Sequence, residues 1–373
     1  MSNHKTKVEI IIIGAGIAGL TINKLLSDKG FETIVLERAL SPGLKNFYSS
    51  VINQDNYENI FGKINIPIER VVRETRFYTL QSSSFDSLAS RHTQENNFIV
   101  LSESFNSWLA NESRKINYES LVTELIISDY KVSGVKTNTD EYYSDLVIIA
   151  EGLNPLLTKK YGLRKGEYTP EQVFLFIEES INLSHNVINE RFNLENNEGV
   201  AIRLFVSELF NVSGFGYLYT NKNSITLGLG ILLSDLVSKE TNINLFLEEL
   251  KQHPAIKPLI SGGTINSYGS YTLPVGACYG RPLSRLCVDG CLVIGGASSL
   301  VDPFMWDPSH NAVLTAKYAS ETIIKAKESN DYSLKTLLSY EKLVKSNILP
   351  KEVDNKNSLN KSDSTYNLVM KRK

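Results

Sequence analysis

Three glycines and one carboxylate carry the clearest chemistry in this 373-residue chain. Gly14, Gly16 and Gly19 are spaced G-x-G-x-x-G in "IIIIGAGIAGL", and Glu37 closes the next apolar run, "TIVLER". Between a strand and a helix each has a task. Gly14 permits the tight turn, Gly16 lets a pyrophosphate approach the backbone, and Gly19 lets helix and strand pack closely. The helix N-terminus offers free N–H groups and a positive dipole end to the phosphates. Glu37, about twenty residues on, can accept hydrogen bonds from ribose hydroxyls and would repel a 2′-phosphate. The pattern points to dinucleotide binding and does not by itself separate FAD from NAD. A second backbone-rich stretch is "LVIGGASSLVDPF", where an apolar run meets Gly295 and Gly296, then small residues. Glycines in that position are used where another backbone or a ligand comes close.

Other chemistry is sparse. There is no P-loop pattern and no HExxH, the five histidines are scattered, and no residue stands out as a general acid or base. The three cysteines, Cys278, Cys287 and Cys291, are too few for an iron–sulfur cluster, which takes about four thiolates, and are read as small residues around a buried strand. A net charge of −2 argues against a nucleic-acid surface. No secretory signal and no apolar run of about 18 residues is found. The expected location is cytoplasmic, with peripheral membrane contact left open and no transmembrane helix.

The elements that must position these residues follow from periodicity. Residues 8–13 form a continuous apolar, β-branched run, the mark of a strand buried on both faces of a parallel sheet. A helical pattern follows, with Gly30 as its terminator, and then a strand over 31–36. Residues 42–94 read as loop-rich. A helix is expected over 104–115 and strands over 120–128, 132–137 and 145–150. From about Gly166 the pattern becomes antiparallel: strands over 173–181, 201–206, 215–220 and 224–231, with a hairpin turn at 221–223. A helix is expected around 245–250. A strand over 290–294 and a helix from Pro308 to about Lys327, with Asp307 as N-cap, return to the first pattern. The tail after Pro350 is polar and is expected to be mobile.

In this order the chain resembles the FixC and electron-transfer flavoprotein–quinone oxidoreductase family, FAD proteins related to geranylgeranyl reductases. The resemblance rests on "VEIIIIGAGIAGL" with "VLER", "PGLKNFYSSVI", "VLSESFNSWLA", "SDLVIIAEGLNPLL", "NVINERFNLENNEGVA", "GFGYLYTNKNSITLGLGI", "YTLPVG" and "DGCLVIGGASSLVDPF". It implies an α/β fold: a Rossmann-like FAD-binding domain with an inserted antiparallel-sheet α+β domain. The FAD-binding domain would be discontinuous, built from 1–67, 99–165 and 268–349. Residues 166–267, with 68–98, would form the substrate or partner domain. It implies FAD held by Gly14, Gly16, Ile17, Ala18, Gly19, Glu37, Arg38, Lys45, Val122, Gly152, Gly295, Gly296 and Asp302. It implies an FAD-dependent oxidoreductase passing electrons from an electron-transfer flavoprotein toward a quinone, with any cluster on a separate ferredoxin-like subunit. Two alternatives are saturation of prenyl lipids, for which Phe174, Phe176, Phe205, Phe210, Phe215, Tyr217 and Tyr219 could line a tunnel, and a non-catalytic subunit with a weakened FAD site. An NAD-dependent dehydrogenase is disfavoured, because no second Rossmann half follows Glu37.

The chain departs from the family at several points. Ser102 stands where Arg is usual, Glu151 for Asp, Pro155 for Ser, Gly296 for Asp and Ser299 for Gly. Gly296→Asp is therefore expected to raise FAD affinity.

Overall fold

The computed structural model describes residues 5–42, 49–63, 65–91, 96–113, 115–164, 166–275, 285–302 and 307–349. The strand Ile10–Ile13 is buried along its whole length. It lies in register between the parallel strands Thr33–Leu36 and Leu146–Ile149. Cys291–Val293 joins the far side of Leu146–Ile149, also parallel, and Ile116–Asn117 the far side of Thr33–Leu36. Cys287–Val288 closes one edge as an antiparallel pair.

Alternation sends the two sets of side chains of this sheet to different layers. Ile10, Ile12, Val35 and Ile148 pack with residues of the helices Ile17–Ser27, Ser102–Asn111 and His310–Ser329. Ile11, Ile13, Ile34 and Ile149 pack with Val122, Leu125, Val132 and Val135. The last four belong to a small sheet of Lys5–Lys7, Glu141–Tyr143, Lys131–Thr137 and Val122–Ser128.

A nine-stranded sheet forms the other half of the molecule. Its order is Thr264–Pro274, Val173–Asn182, Ser224–Leu232, Gly214–Thr220, Glu198–Phe205, Arg70–Leu80, Asn97–Leu101, Ser49–Asn53, with Phe85–Arg91 paired to Arg70–Leu80. The hairpin expected around 221–223 is present. One face carries Ile177, Ile202, Leu204, Leu218, Leu227 and Leu229, packed with Ile188, Leu247 and Leu250 of the helices His185–Phe192 and Ile243–Gln252. The opposite face carries Phe174, Phe176, Phe205, Phe215, Tyr217 and Tyr219, with Leu153 and Val301 from the nucleotide half. Phe210, grouped with these aromatics in sequence, sits in the other core instead.

Two expectations are corrected. Residues 42–94 are not loop-rich where they are described: they contain two long strands, the Ser49–Asn53 strand and the Gln54–Phe61 helix. The late helix begins at His310, with Ser309 at the N-cap position. Asp307 therefore stands two residues ahead of the N-cap position, yet its carboxylate still accepts from the Ser309 N–H at 3.0 Å, as a capping side chain does, and also from the Tyr57 hydroxyl at 2.7 Å and the Ser309 hydroxyl. Burial raises the Asp307 pKa from its ordinary value.

Candidate functional site

A cleft of about 460 Å³ opens at the C-terminal ends of the parallel strands, where α/β sheets bind ligands. Gly14, Gly16, Ile17, Ala18, Glu37, Arg38, Val122, Gly152, Gly295 and Gly296 all line it. Gly19 lies behind it, packed on the strand. Asp302 follows Val301, a lining residue, and acts electrostatically on Arg203. Lys45 falls outside the described residues.

The three glycines of the motif are required for different reasons. Gly14 has φ +103°, and a Cβ there would sit 2.6 Å from the Ala150 carbonyl oxygen. A Cβ at Gly19 would fall on the Gly14 carbonyl oxygen. Gly16 is different. Its backbone is extended, at φ −80° and ψ 179°, and nothing lies within 4 Å of a Cβ built on it. The protein itself does not demand glycine there. The space beside it belongs to the cleft, at a helix N-terminus with unpaired N–H groups, which is what a pyrophosphate needs. The donor set fits a dinucleotide.

Glu37 ties this loop down. Its Oε2 accepts from the Ala15 N–H at 2.7 Å and its Oε1 from the Ala39 N–H at 2.7 Å. Each oxygen keeps a second lone pair for a ribose hydroxyl. Glu37→Ala should therefore weaken dinucleotide binding by about 1–3 kcal/mol, read by titration of the cofactor-stripped protein; an unchanged Kd would remove Glu37 from the site.

The far end of the cleft is built around Gly295, at φ +64°, where a Cβ would lie 2.7 Å from the Ala18 Cβ. Its N–H donates to Thr315 Oγ1 at 2.9 Å, joining strand end, first helix and late helix. Glu151 caps the Leu157–Lys160 turn, accepting from the N–H groups of Leu156, Leu157 and Thr158. Ser299 holds φ +65°, a conformation costing an L-residue about 1–2 kcal/mol, and receives the Tyr168 hydroxyl at 3.2 Å. Gly296 is crowded: a Cβ would meet Leu153 Cδ2 at 2.8 Å and the Gly152 and Leu153 backbone at 3.1 Å. That crowding counts against the sequence expectation. Gly296→Asp must push the Leu153 turn aside, so flavin retained per chain after dialysis should fall, and a rise would show that the turn yields.

The cleft is closed by the aromatic face of the large sheet, through Tyr271 and Leu273. Here lie groups that sequence reasoning missed. Glu178 is fully buried among Phe174, Phe176 and Tyr217, and burial lifts its carboxyl to about 8. The Tyr217 hydroxyl donates to Glu178 Oε2 at 2.6 Å, the Ser49 N–H to Oε1 at 3.1 Å, and the hydroxyls of Tyr217 and Tyr271 are 2.9 Å apart. Arg203, also buried, stands 4.7 Å over the Phe215 ring. The one sequence signal is an acid placed in step with Phe174 and Phe176, directly after the apolar run VFLFI. Of the cysteines, Cys287 and Cys291 are buried and free, burial pushing the Cys287 thiol up to about 12; Cys278 falls outside the described residues. Among the described residues, no helix is long and apolar enough to cross a membrane.

Comparison with known proteins agrees with this geometry. Residues 12–59 match the NAD(P)-binding Rossmann-like domain. The chain is 30% identical over 362 residues to the FixC protein of Azorhizobium caulinodans, covering 93% of this chain and 82% of that one. It is 30% identical over 349 residues to a probable electron transfer flavoprotein-quinone oxidoreductase of Escherichia coli, covering 90% and 81%. In fold it is similar to a geranylgeranyl bacteriochlorophyll reductase-like protein of Thermoplasma acidophilum, with TM-score 0.76, 18% identity, and 92% and 85% of the two chains covered. It also resembles a probable FAD-dependent monooxygenase of Pseudomonas aeruginosa, with TM-score 0.67, 14% identity, and 90% and 91% covered. Rossmann-like start, cofactor cleft and similarity over nine-tenths of the chain converge: the chain belongs to the FixC and electron-transfer flavoprotein–quinone oxidoreductase family of FAD-dependent oxidoreductases.

Proposed function

We propose that this chain takes electrons from an electron-transfer flavoprotein and passes them to a quinone, with FAD as its resident cofactor. The observation that carries the cofactor assignment is Gly16, which lines the cleft at the helix N-terminus with an ordinary extended backbone and open space where a Cβ would be. The N–H groups at the start of the Ile17–Ser27 helix would hold the pyrophosphate, Glu37 the adenosine ribose, and the backbone of Gly295 and Gly296 the inner end of the molecule. Bound FAD supplies reversible two-electron chemistry; the protein positions it and sets the field around it. The aromatic face around Phe176 and Tyr271, stacked at 5.3 Å with an interplanar angle of 4°, suits a flat ring as electron acceptor. The discontinuous division into 1–67, 99–165 and 268–349 against 166–267 with 68–98 is part of the same proposal.

The test is an absorbance spectrum of the purified protein, followed by anaerobic mixing with reduced electron-transfer flavoprotein and a short-chain quinone. A bound flavin that is bleached by the first and recovers with the second is the expected result. A chain that stays colourless after FAD is added back would overturn the cofactor assignment. A flavin that does not recover with quinone would overturn the acceptor.

A further inference from the structure

We propose that Glu178, Tyr217 and Tyr271 form a proton relay from the interior of the large sheet to the cleft, donating a proton to the acceptor that is reduced there. This rests on the electron-transfer reading above and adds the source of the proton.

The geometry is continuous. Glu178 Oε2 is 2.6 Å from the Tyr217 hydroxyl, that hydroxyl is 2.9 Å from the Tyr271 hydroxyl, and Tyr271 lines the cleft. Each part comes from a different strand, and each is fixed. Phe174, Phe176 and Glu178 share one face of the Val173–Asn182 strand by alternation. The Tyr217 ring lies where a Cβ of Gly228 would be, so only glycine opposite it leaves room. Tyr217 stacks on Tyr219 at 5.0 Å, and Tyr271 on Phe176.

The direction of transfer is also set. Glu178 Oε1 receives a backbone N–H from Ser49, which cannot serve as an acceptor, so Oε1 is held as an acceptor. An acidic proton on Glu178 therefore sits on Oε2, facing Tyr217. With Glu178 ionised, Oε2 accepts from the Tyr217 hydroxyl; with Glu178 neutral the bond reverses, Glu178 donating to Tyr217, Tyr217 to Tyr271, and Tyr271 into the cleft. The carboxyl is buried, with the Tyr217 hydroxyl and the Ser49 N–H as its hydrogen-bond partners, and that burial favours its neutral form at neutral pH. The titratable or charged groups facing the relay are Tyr219 beside Tyr217, and Arg203, which acts on both tyrosines. Asp302 acts on Arg203 and Asp307 on Tyr219. By alternation the Ser224–Leu232 strand contributes Ser224, Thr226, Gly228, Gly230 and Leu232 to this face, all of them neutral.

The balance is simple. Reduction of a quinone to a quinol takes up two electrons and two protons. Both electrons and one proton, together a hydride equivalent, would come from the reduced flavin held in the cleft. The second proton comes from the relay: the Tyr271 O–H breaks as an O–H forms on the quinone oxygen, Tyr217 reprotonates Tyr271, and Glu178 reprotonates Tyr217. The Glu178 carboxylate then recovers its proton from solvent before the next turnover.

The test uses the full chain with bound FAD, as wild type and as Glu178→Gln, Tyr217→Phe and Glu178→Asp. Infrared difference spectra should show the C=O stretch of a protonated carboxylic acid at neutral pH, lost as the pH is raised through about 8 and missing in Glu178→Gln. The kcat for quinone reduction should fall about 100-fold in Glu178→Gln and Tyr217→Phe, with KM little changed and the alkaline limb of the pH profile gone. Glu178→Asp should restore part of both. Tyr217→Phe keeps the carboxyl and removes only the link, so it separates the relay from any packing role of Glu178. An infrared band that persists in Glu178→Gln, or variants that match wild type in kcat and pH profile, would overturn the relay. A wild type that is reduced by the flavoprotein partner yet never reoxidised by quinone would instead overturn the acceptor reading.

Discussion

Replacing Gly19 with valine should unfold the cofactor end of this molecule under conditions that leave the wild type intact. A side chain at Gly19 has nowhere to go: its Cβ would fall on the Gly14 carbonyl oxygen and press on the Ala150 side chain at 3.4 Å. Both neighbours are fixed, one by a backbone turn and the other by the sheet, so the Ile17–Ser27 helix must lift off the strand. Overpacking of this kind costs about 1–3 kcal/mol where the core can adjust, and here the clash is with backbone, so the loss should be about 3 kcal/mol or more. Urea denaturation measures it. Gly19→Ala, whose Cβ already falls on the Gly14 carbonyl oxygen, should show the same loss, and Gly16→Ala is the matched comparison. It adds the same atom into open space at an ordinary backbone conformation, so stability should stay within about 0.5 kcal/mol while flavin retention falls. If the two variants lost stability equally, the separate tasks assigned to these glycines would be wrong.

The second large effect is a pH dependence of stability that Glu178→Gln removes. Burial holds the Glu178 carboxyl near 8 in the folded protein, against 4.5 for the exposed group. Between these values the unfolded chain has released the proton and the folded one keeps it. More protons on the native state means that stability falls as pH rises. The fall begins near 4.5 and ends near 8, where the native carboxyl also ionises. Over the full window it amounts to at most about 5 kcal/mol, from 1.36 kcal/mol per unit. Glutamine is neutral throughout, so the stability of wild type relative to Glu178→Gln should drop steadily from pH 5 to pH 8 at equal flavin loading. A constant difference across that range would mean that Glu178 is ionised in the fold.

The parts of the fold that were legible in the sequence are those decided locally. The run at 8–13 is apolar at every position because both sheet faces are covered, and the Gly14 turn and the hairpin at 221–223 carry their own turn chemistry. The Arg70–Leu80 strand escaped because its sequence, RVVRETRFYTL, alternates poorly and carries four charges. What makes it a strand is pairing: parallel with Glu198–Phe205 on one side and antiparallel with Phe85–Arg91 on the other, partners that no local window contains. Asp307 and Pro308 read as a helix start by the usual rules, and Asp307 does receive the Ser309 N–H just ahead of the helix; its second tie, to Tyr57 250 positions away, lies outside any local window. The cofactor-binding glycines could be read because a spacing encodes them. The Glu178 chain could not, since its three hydroxyl and carboxyl groups come from three strands and meet only after the sheet has formed.

The parallel sheet has a consequence for how the protein is made. Its central strands at residues 10–13 and 33–36 leave the ribosome early, but Leu146–Ile149 and Cys291–Val293 complete their row, and the His310–Ser329 helix covers the Ile17–Ser27 helix. Nearly three hundred residues separate the nucleotide-binding loop from the helix that shields it. At 5–20 residues per second, the nascent chain carries that unshielded apolar ribbon for roughly 15–60 s. Ile10, Ile11, Ile12 and Leu20, wholly hidden in the finished molecule, are exposed to solvent, to other chains and to chaperones for that interval. Yield in a cell should therefore depend on translation speed and chaperone supply more than the final stability of the fold would suggest.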